Sequence, residues 1–162
     1  MVTFYLDTSA IVKRYHKEKG SEVLDRIFGF EEHELATSYW TVLEFIVAFS
    51  ARTRRKELSK DAFNMVISRF LRDVLDKFAI TSVNDELVAS ATPLAIKHSL
   101  PSADCLQLAS IISLERTLEP AREKLVLICS DRDLLRAAIK EGIKSINPEE
   151  KDALEKLVDI ME

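Results

Sequence analysis

Val2-Thr3-Phe4-Tyr5-Leu6-Asp7-Thr8-Ser9-Ala10 opens the chain with a short run of strand-forming residues, an acid, two hydroxyls and the start of an apolar segment that continues to Tyr15. That order reads as strand, turn and helix start, because aspartate, threonine and serine can satisfy the free N–H groups of a first helical turn. The same grammar returns late in the chain, where Leu125-Val126-Leu127-Ile128-Cys129 is followed by Ser130, Asp131, Arg132 and Asp133. The helix expected there ends near Gly142, a favoured residue just past a helix C-terminus.

Between these two units the pattern predicts helices over residues 21–28, 38–54, 60–78, 86–97 and 102–118, and strands over 35–37 and 79–83. Residues 145–146 are expected to add an edge strand. Phe63, Val66, Ile67, Phe70, Leu71, Val74, Leu75 and Phe78 recur at three- and four-residue steps, which predicts one buried helical face. The four prolines, Pro93, Pro101, Pro120 and Pro148, are expected to stand between elements. Alternating strands and helices imply an α/β fold, a single domain with a central parallel sheet flanked by helices on both faces. Ligands of such sheets bind beyond the carboxyl ends of the strands. Residues 1–147 would form that domain, and 148–162 an amphipathic helix carrying Leu154, Leu157, Val158 and Met161, docked on the same domain.

Composition removes several function classes. The chain has 162 residues, 47% hydrophobic and 31% charged, as one globular domain requires. Three glycines cannot build a Gly-rich phosphate cradle, and neither GxGxxG nor GxxxxGK[ST] occurs. Two cysteines, Cys105 and Cys129, and three scattered histidines, His16, His33 and His98, support neither a zinc cluster nor a Ser/His/Asp hydrolase. The start of the sequence lacks the pattern of a signal peptide, and no run is long and apolar enough for a membrane span, so a soluble, cytoplasmic protein is expected. A net charge of −4 is the wrong sign for bulk attraction to nucleic acid.

The informative residues are acids. Asp7 and Asp131 follow two expected strands and would lie at one sheet edge. Glu44 interrupts the apolar stretch Trp40-Thr41-Val42-Leu43-Glu44-Phe45-Ile46-Val47, where it needs a partner or a cation unless it faces solvent. Asp104 stands in the first turn of a helix, where the dipole favours negative charge. Taken singly, Asp7 and Asp131 read more readily as helix caps than as catalysts, and Asp104 reads equally as a cap. Four converging carboxylates would repel one another, and a divalent ion is the natural compensation. Oxygen-only ligands point to Mg2+ or Mn2+.

Four segments resemble the PIN-domain ribonucleases, especially the VapC toxins of toxin-antitoxin pairs. Tyr5-Leu6-Asp7-Thr8-Ser9-Ala10-Ile11-Val12-Lys13 is similar to the family's opening motif, with Asp7 at its first acidic position and the Ser9 hydroxyl beside it. Ser38-Tyr39-Trp40-Thr41-Val42-Leu43-Glu44 resembles the second, Ser102-Ala103-Asp104-Cys105-Leu106-Gln107-Leu108-Ala109 the third, and Cys129-Ser130-Asp131-Arg132-Asp133-Leu134-Leu135 the fourth. Cys129 departs from the threonine common in relatives, which removes one expected hydroxyl contact. The resemblance implies Mg2+- or Mn2+-dependent hydrolysis of RNA, with Asp7, Glu44, Asp104 and Asp131 as catalytic and metal-holding acids. It also implies an antitoxin partner and a homodimer. Asp131 is favoured over Asp133 because it is nearer the strand end, leaving Asp133 as a helix cap or auxiliary acid. Basic residues must bring RNA to such a site, and the candidates are Lys13, Arg14, Arg54, Arg55 and Arg132.

Two rivals belong to other classes. A haloacid-dehalogenase-like phosphatase also places an aspartate after its first strand, but its second aspartate, two residues on, is Ser9 here. A PIN-like module that binds RNA or protein without cutting would be favoured by the loss of an acid, and none of the four is lost.

Overall fold

Phe4 and Leu6 turn to one side of the first strand and Tyr5 to the other, and all three are fully buried. A strand wet on neither face must be central. In the computed structural model, which describes residues 1–161, this strand (β1, Val2–Leu6) sits in the middle of a five-stranded parallel sheet. Its neighbours are β2 (His33–Ser38) and β4 (Lys124–Ile128), with β3 (Phe78–Thr81) and β5 (Lys144–Ile146) at the edges, giving the order β3-β2-β1-β4-β5. Tyr5 pairs with Ala36 on one side and Leu127 on the other, so the strands that precede the first and last acidic motifs end side by side.

The helices are α1 (Thr8–Tyr15), α2 (Ser21–Phe28), α3 (Tyr39–Arg54), α4 (Lys60–Lys77), α5 (Asp85–His98), α6 (Ser102–Leu118), α7 (Arg132–Lys140) and α8 (Ala153–Met161). They make two layers. Phe4, Leu6, Val126 and Ile128 pack against α1, α2, α3, α4 and α8, whereas Tyr5, Ala36, Leu125 and Leu127 pack against α6 and α7. Ala153, Leu157 and Ile160 of α8 lie in the first of these cores. No helix of the described residues is long and apolar enough to cross a membrane.

Two expectations are corrected. Pro93 lies inside α5 rather than between elements. Proline forfeits one helical hydrogen bond, but α5 is started by the Asn84 side chain, which accepts from Leu87 N at 2.9 Å, and is held by Leu87 and Ala91 packed with Cys105 and Ala109 of α6. The α4 stripe is narrower than its spacing suggests. Phe70 and Val74 are buried, but Leu71 is exposed and Leu75 is 84% exposed.

Gly20 is a point of backbone necessity. Its φ is +89°, and a Cβ there would lie 2.7 Å from the carbonyl oxygen of Pro148. Gly20→Ala combines left-handed strain with a clash against backbone, so a loss of about 1–3 kcal/mol is expected in denaturant melts. A change below about 0.5 kcal/mol would show that the approach of residue 148 to residue 20 is slack.

Candidate active site

Asp7 leaves β1 at its carboxyl end and caps α1. Its Oδ2 accepts from Ser9 N at 3.0 Å and Ser9 Oγ at 2.7 Å, while Oδ1 accepts from Gln107 Nε2 at 3.1 Å. The residue is only 5% exposed, so these donors replace the water that the carboxylate has lost. Cys129 Sγ lies 3.5 Å from Asp7 Oδ2, 3.6 Å from Ser9 Oγ and 3.3 Å from Asp131 N. Burial, and then the charge of Asp7, push this thiol far above its ordinary range, so it stays protonated and donates to the aspartate. The contact expected to be lost with the missing hydroxyl is thus kept by an S–H.

Glu44 comes from α3, whose Thr41, Phe45 and Phe49 form the buried stripe. Phe45 is stacked on Phe70, with ring centroids 3.8 Å apart, and Tyr15 meets both rings edge-on. This aromatic anchoring leaves Glu44 on the flank of α3, half-buried, where Oε2 accepts from Thr8 Oγ1 at 2.7 Å. Its partner is therefore the hydroxyl next to Asp7. Asp131 caps α7, its Oδ1 accepting from Asp133 N and Leu134 N, both at 2.9 Å. Asp133 is not the cap offered as one of its two readings; it is exposed and paired with Arg136 at 3.1 Å.

Asp104, in the first turn of α6, ties the group together. Burial, followed by the charges of Asp131, Asp7, Glu44 and Asp133, raises its pKa from 3.8 to about 6. A carboxyl that responds to all of these acids shares one electrostatic field with them. The donor set is oxygen-only, partly buried and mutually repelling, which suits a hard divalent cation. Among the described residues, no three acidic, histidine or cysteine side chains stand close enough to ligate one ion together. The fit is to an ion held by one or two carboxylates that keeps several water ligands, as Mg2+ does. A concavity of about 820 Å3 between the β3 edge and helices α5 and α6 is not lined by any of the four acids.

Behind the acids lies a network that pattern reading did not anticipate. Gln107, 1% exposed, donates from Nε2 to Asp7 and to Thr41 Oγ1, and its Oε1 accepts from Tyr5 OH at 2.9 Å and Ser38 Oγ at 3.0 Å. One side chain of α6 thereby joins β1, the end of β2, the first turn of α3 and the buried aspartate. The available signal was a lone amide within Cys105-Leu106-Gln107-Leu108-Ala109.

The basic candidates separate. Lys13 is corrected: it is 5% exposed and held by Glu149 at 2.7 Å and Glu18 at 3.3 Å, a structural ion pair with no ammonium left for RNA. Arg14 pairs with Asp25 at 2.6 Å and Arg55 with Glu57 at 2.7 Å, whereas Arg54 and Arg132 are exposed.

The family model of the PIN domain matches residues 4–140. The chain belongs to the PIN-domain family. PIN domains are nucleases that generally use divalent ions. No curated protein matches the sequence. Among solved structures, this PIN domain is similar in fold to FitAcB from Neisseria gonorrhoeae, with TM-score 0.63 and 18% identity over 90% of this chain and 97% of that one. VapBC-1 from nontypeable Haemophilus influenzae gives 0.62 at 14% identity, covering 92% and 100% of the two chains. A toxin-antitoxin complex from Klebsiella pneumoniae gives 0.53 at 16% identity, covering 91% and 98%.

Proposed function

We propose that this PIN domain is a metal-dependent endoribonuclease acting as the toxin of a toxin-antitoxin pair. The observation that carries the reading is the shared field of Asp7, Glu44, Asp104 and Asp131 beyond the strand ends, expressed in the raised pKa of Asp104. Asp7 and Asp104 would be the principal holders of a Mg2+ or Mn2+ ion, with Glu44 and Asp131 completing the cup directly or through water. When bound, the ion would polarise the scissile phosphate and lower the pKa of an attacking water. The chain's own residues do the rest. Ser9, Gln107 and Cys129 hold the Asp7 carboxylate still, Thr8 fixes one oxygen of Glu44, and Asp131 spends Oδ1 on the α7 cap.

Likeness in fold to VapBC-1 and to the Klebsiella toxin-antitoxin complex supports an antitoxin partner. Tyr39, Leu43 and Val47, exposed at four-residue steps along α3, supply an apolar face for the homodimer that belongs to the same reading.

The test is cleavage of a mixed structured RNA pool by wild type and Asp7→Asn, each with Mg2+, Mn2+ or EDTA. Cutting by the wild type that needs a metal and disappears in the variant is the expected result. Equal cutting by both would place the activity elsewhere or in a contaminant. Wild-type inactivity across a broad RNA set would favour the module that binds without cutting.

A further inference from the structure

Helix α7 begins directly after Asp131 and buries Leu134, Leu135, Ala137 and Ala138. The opposite face is solvent-exposed and carries Arg132, Arg136 and Lys140, each four residues from the next. Four residues are about 6 Å along a helix axis, so the cations form a row that leads away from the acids. Beside this row is a concavity of about 260 Å3, lined by Asp133, Arg136 and Lys140 of α7 and by His98, Ser99 and Leu100 of the α5–α6 connection. It opens next to the acidic cup, because Asp133, which borders it, stands in the first turn of α7 two residues after Asp131.

The charge of this groove is positive although the chain is negative. Among the described residues Arg136 is paired only with Asp133, both side chains being 66% exposed, and such surface pairs are weak. Glu141 is occupied by Lys97 at 2.7 Å and by His98 at 2.5 Å, which neutralises the far end. The lining of the groove therefore carries two cations, Arg136 and Lys140, against one carboxylate, Asp133, which is already paired with Arg136. Lys124, by contrast, is exposed at the amino end of β4, the edge of the sheet opposite the acids. A row of cations one turn apart matches a polyanion that presents charge repeatedly, not a single anion.

We propose that this groove is the track for the phosphodiester backbone of the substrate strand flanking the scissile bond, with Arg132, Arg136 and Lys140 as its phosphate contacts. The assignment deepens the nuclease reading and rests on it for the identity of the strand. Phosphate contacts of this kind set the register of a strand without reading its sequence.

The experiment measures binding of a random-sequence pool of short, end-labelled single-stranded RNA by fluorescence anisotropy, across a salt series. Ca2+ replaces Mg2+, and the strand is checked for integrity on a gel. Wild type is compared with the double variant Arg136→Gln/Lys140→Gln and with Lys124→Gln, all three melted to verify folding. The double variant is expected to bind about tenfold more weakly at low salt, with a log–log salt slope shallower by about 0.7 for each cation removed. Lys124→Gln is expected to stay within about twofold of wild type. Unchanged affinity and slope in the double variant would overturn the track while leaving metal-dependent cleavage by the wild type intact. A wild type with no measurable RNA affinity would overturn it too. If the cleavage test fails but the affinity and slope fall as stated, the groove stands as a nucleic-acid site and only the nuclease reading is lost.

Discussion

Asp104→Asn is expected to remove hydrolytic activity by about 10²-fold or more while raising the melting temperature of the metal-free protein at pH 7 by a few degrees. Both effects come from one cause. Asp104 is partly buried and surrounded by Asp131, Asp7, Glu44 and Asp133, so folding holds its charge in an unfavourable place. Its proton leaves near pH 3.8 in the unfolded chain and near 6 in the folded one. Between those values the folded state binds more protons, so the stability of the metal-free protein falls as pH rises through the window and levels off above it. After allowance for solvent screening the cost is on the order of 1–2 kcal/mol, and each kcal/mol is about 2–4 °C for a chain of this size. Asparagine keeps the shape and removes the charge, so the variant's profile from about pH 4 to 6 should be flatter than wild type. The same charge is what an ion and a reacting phosphate need, and removing one preorganised electrostatic group costs catalysis about 10²–10³-fold. Mg2+ should therefore stabilise wild type more than the variant. A variant that melts below wild type at pH 7, with the pH dependence unaltered, would show that the neighbouring acids do not strain Asp104.

The parts of this fold that a linear pattern dictates were legible in the sequence. β1 and β4 are buried on both faces, so they read as unbroken apolar runs, and each is closed by an acid that caps the next helix. Helices with their own caps, such as α4 after Ser59 and α5 after Asn84, could also be placed. What failed depends on partners distant in the chain. Leu75 follows Leu71 at the same four-residue step that separates Val74 from Phe70, but no described residue covers that side of α4, and periodicity cannot show where a neighbouring helix ends. Lys13 looks like any basic residue near a helix end until Glu149, 136 positions away, is brought against it. The roles of Asp131 and Asp133 turn on which carboxylate reaches the free N–H groups of α7, a matter of two residues. The four acids were legible because a charge beyond a strand end or within an apolar run is conspicuous. The groups that orient them were not, because a hydroxyl or amide acquires that role only by contact.

Gln107 shows the strength of that hidden layer, and Gln107→Leu is expected to cost about 3–4 kcal/mol, lowering the melting temperature by roughly 6–16 °C. Leucine fills most of the volume but offers no donor to Asp7 Oδ1 or Thr41 Oγ1 and no acceptor to Tyr5 OH or Ser38 Oγ. Each buried polar group left without a partner costs about 1–3 kcal/mol, with the sum reduced where Ser38 and Thr41 turn to each other across 3.2 Å. Activity should fall as well, by about 10–100-fold at a temperature where the variant is fully folded, because Asp7 loses one of the donors that fix its orientation. Gln107→Glu separates polarity from charge. It keeps an acceptor for Tyr5 and Ser38 but turns a second carboxylate toward Asp7, so it should be least stable where both are ionised and recover as pH falls. A leucine variant within about 1 kcal/mol of wild type would mean that the network is satisfied without its centre. A leucine variant that is destabilised yet fully active when folded would show that Ser9 and Cys129 alone hold Asp7 in place, reducing Gln107 to a structural tie between α6 and the strand ends.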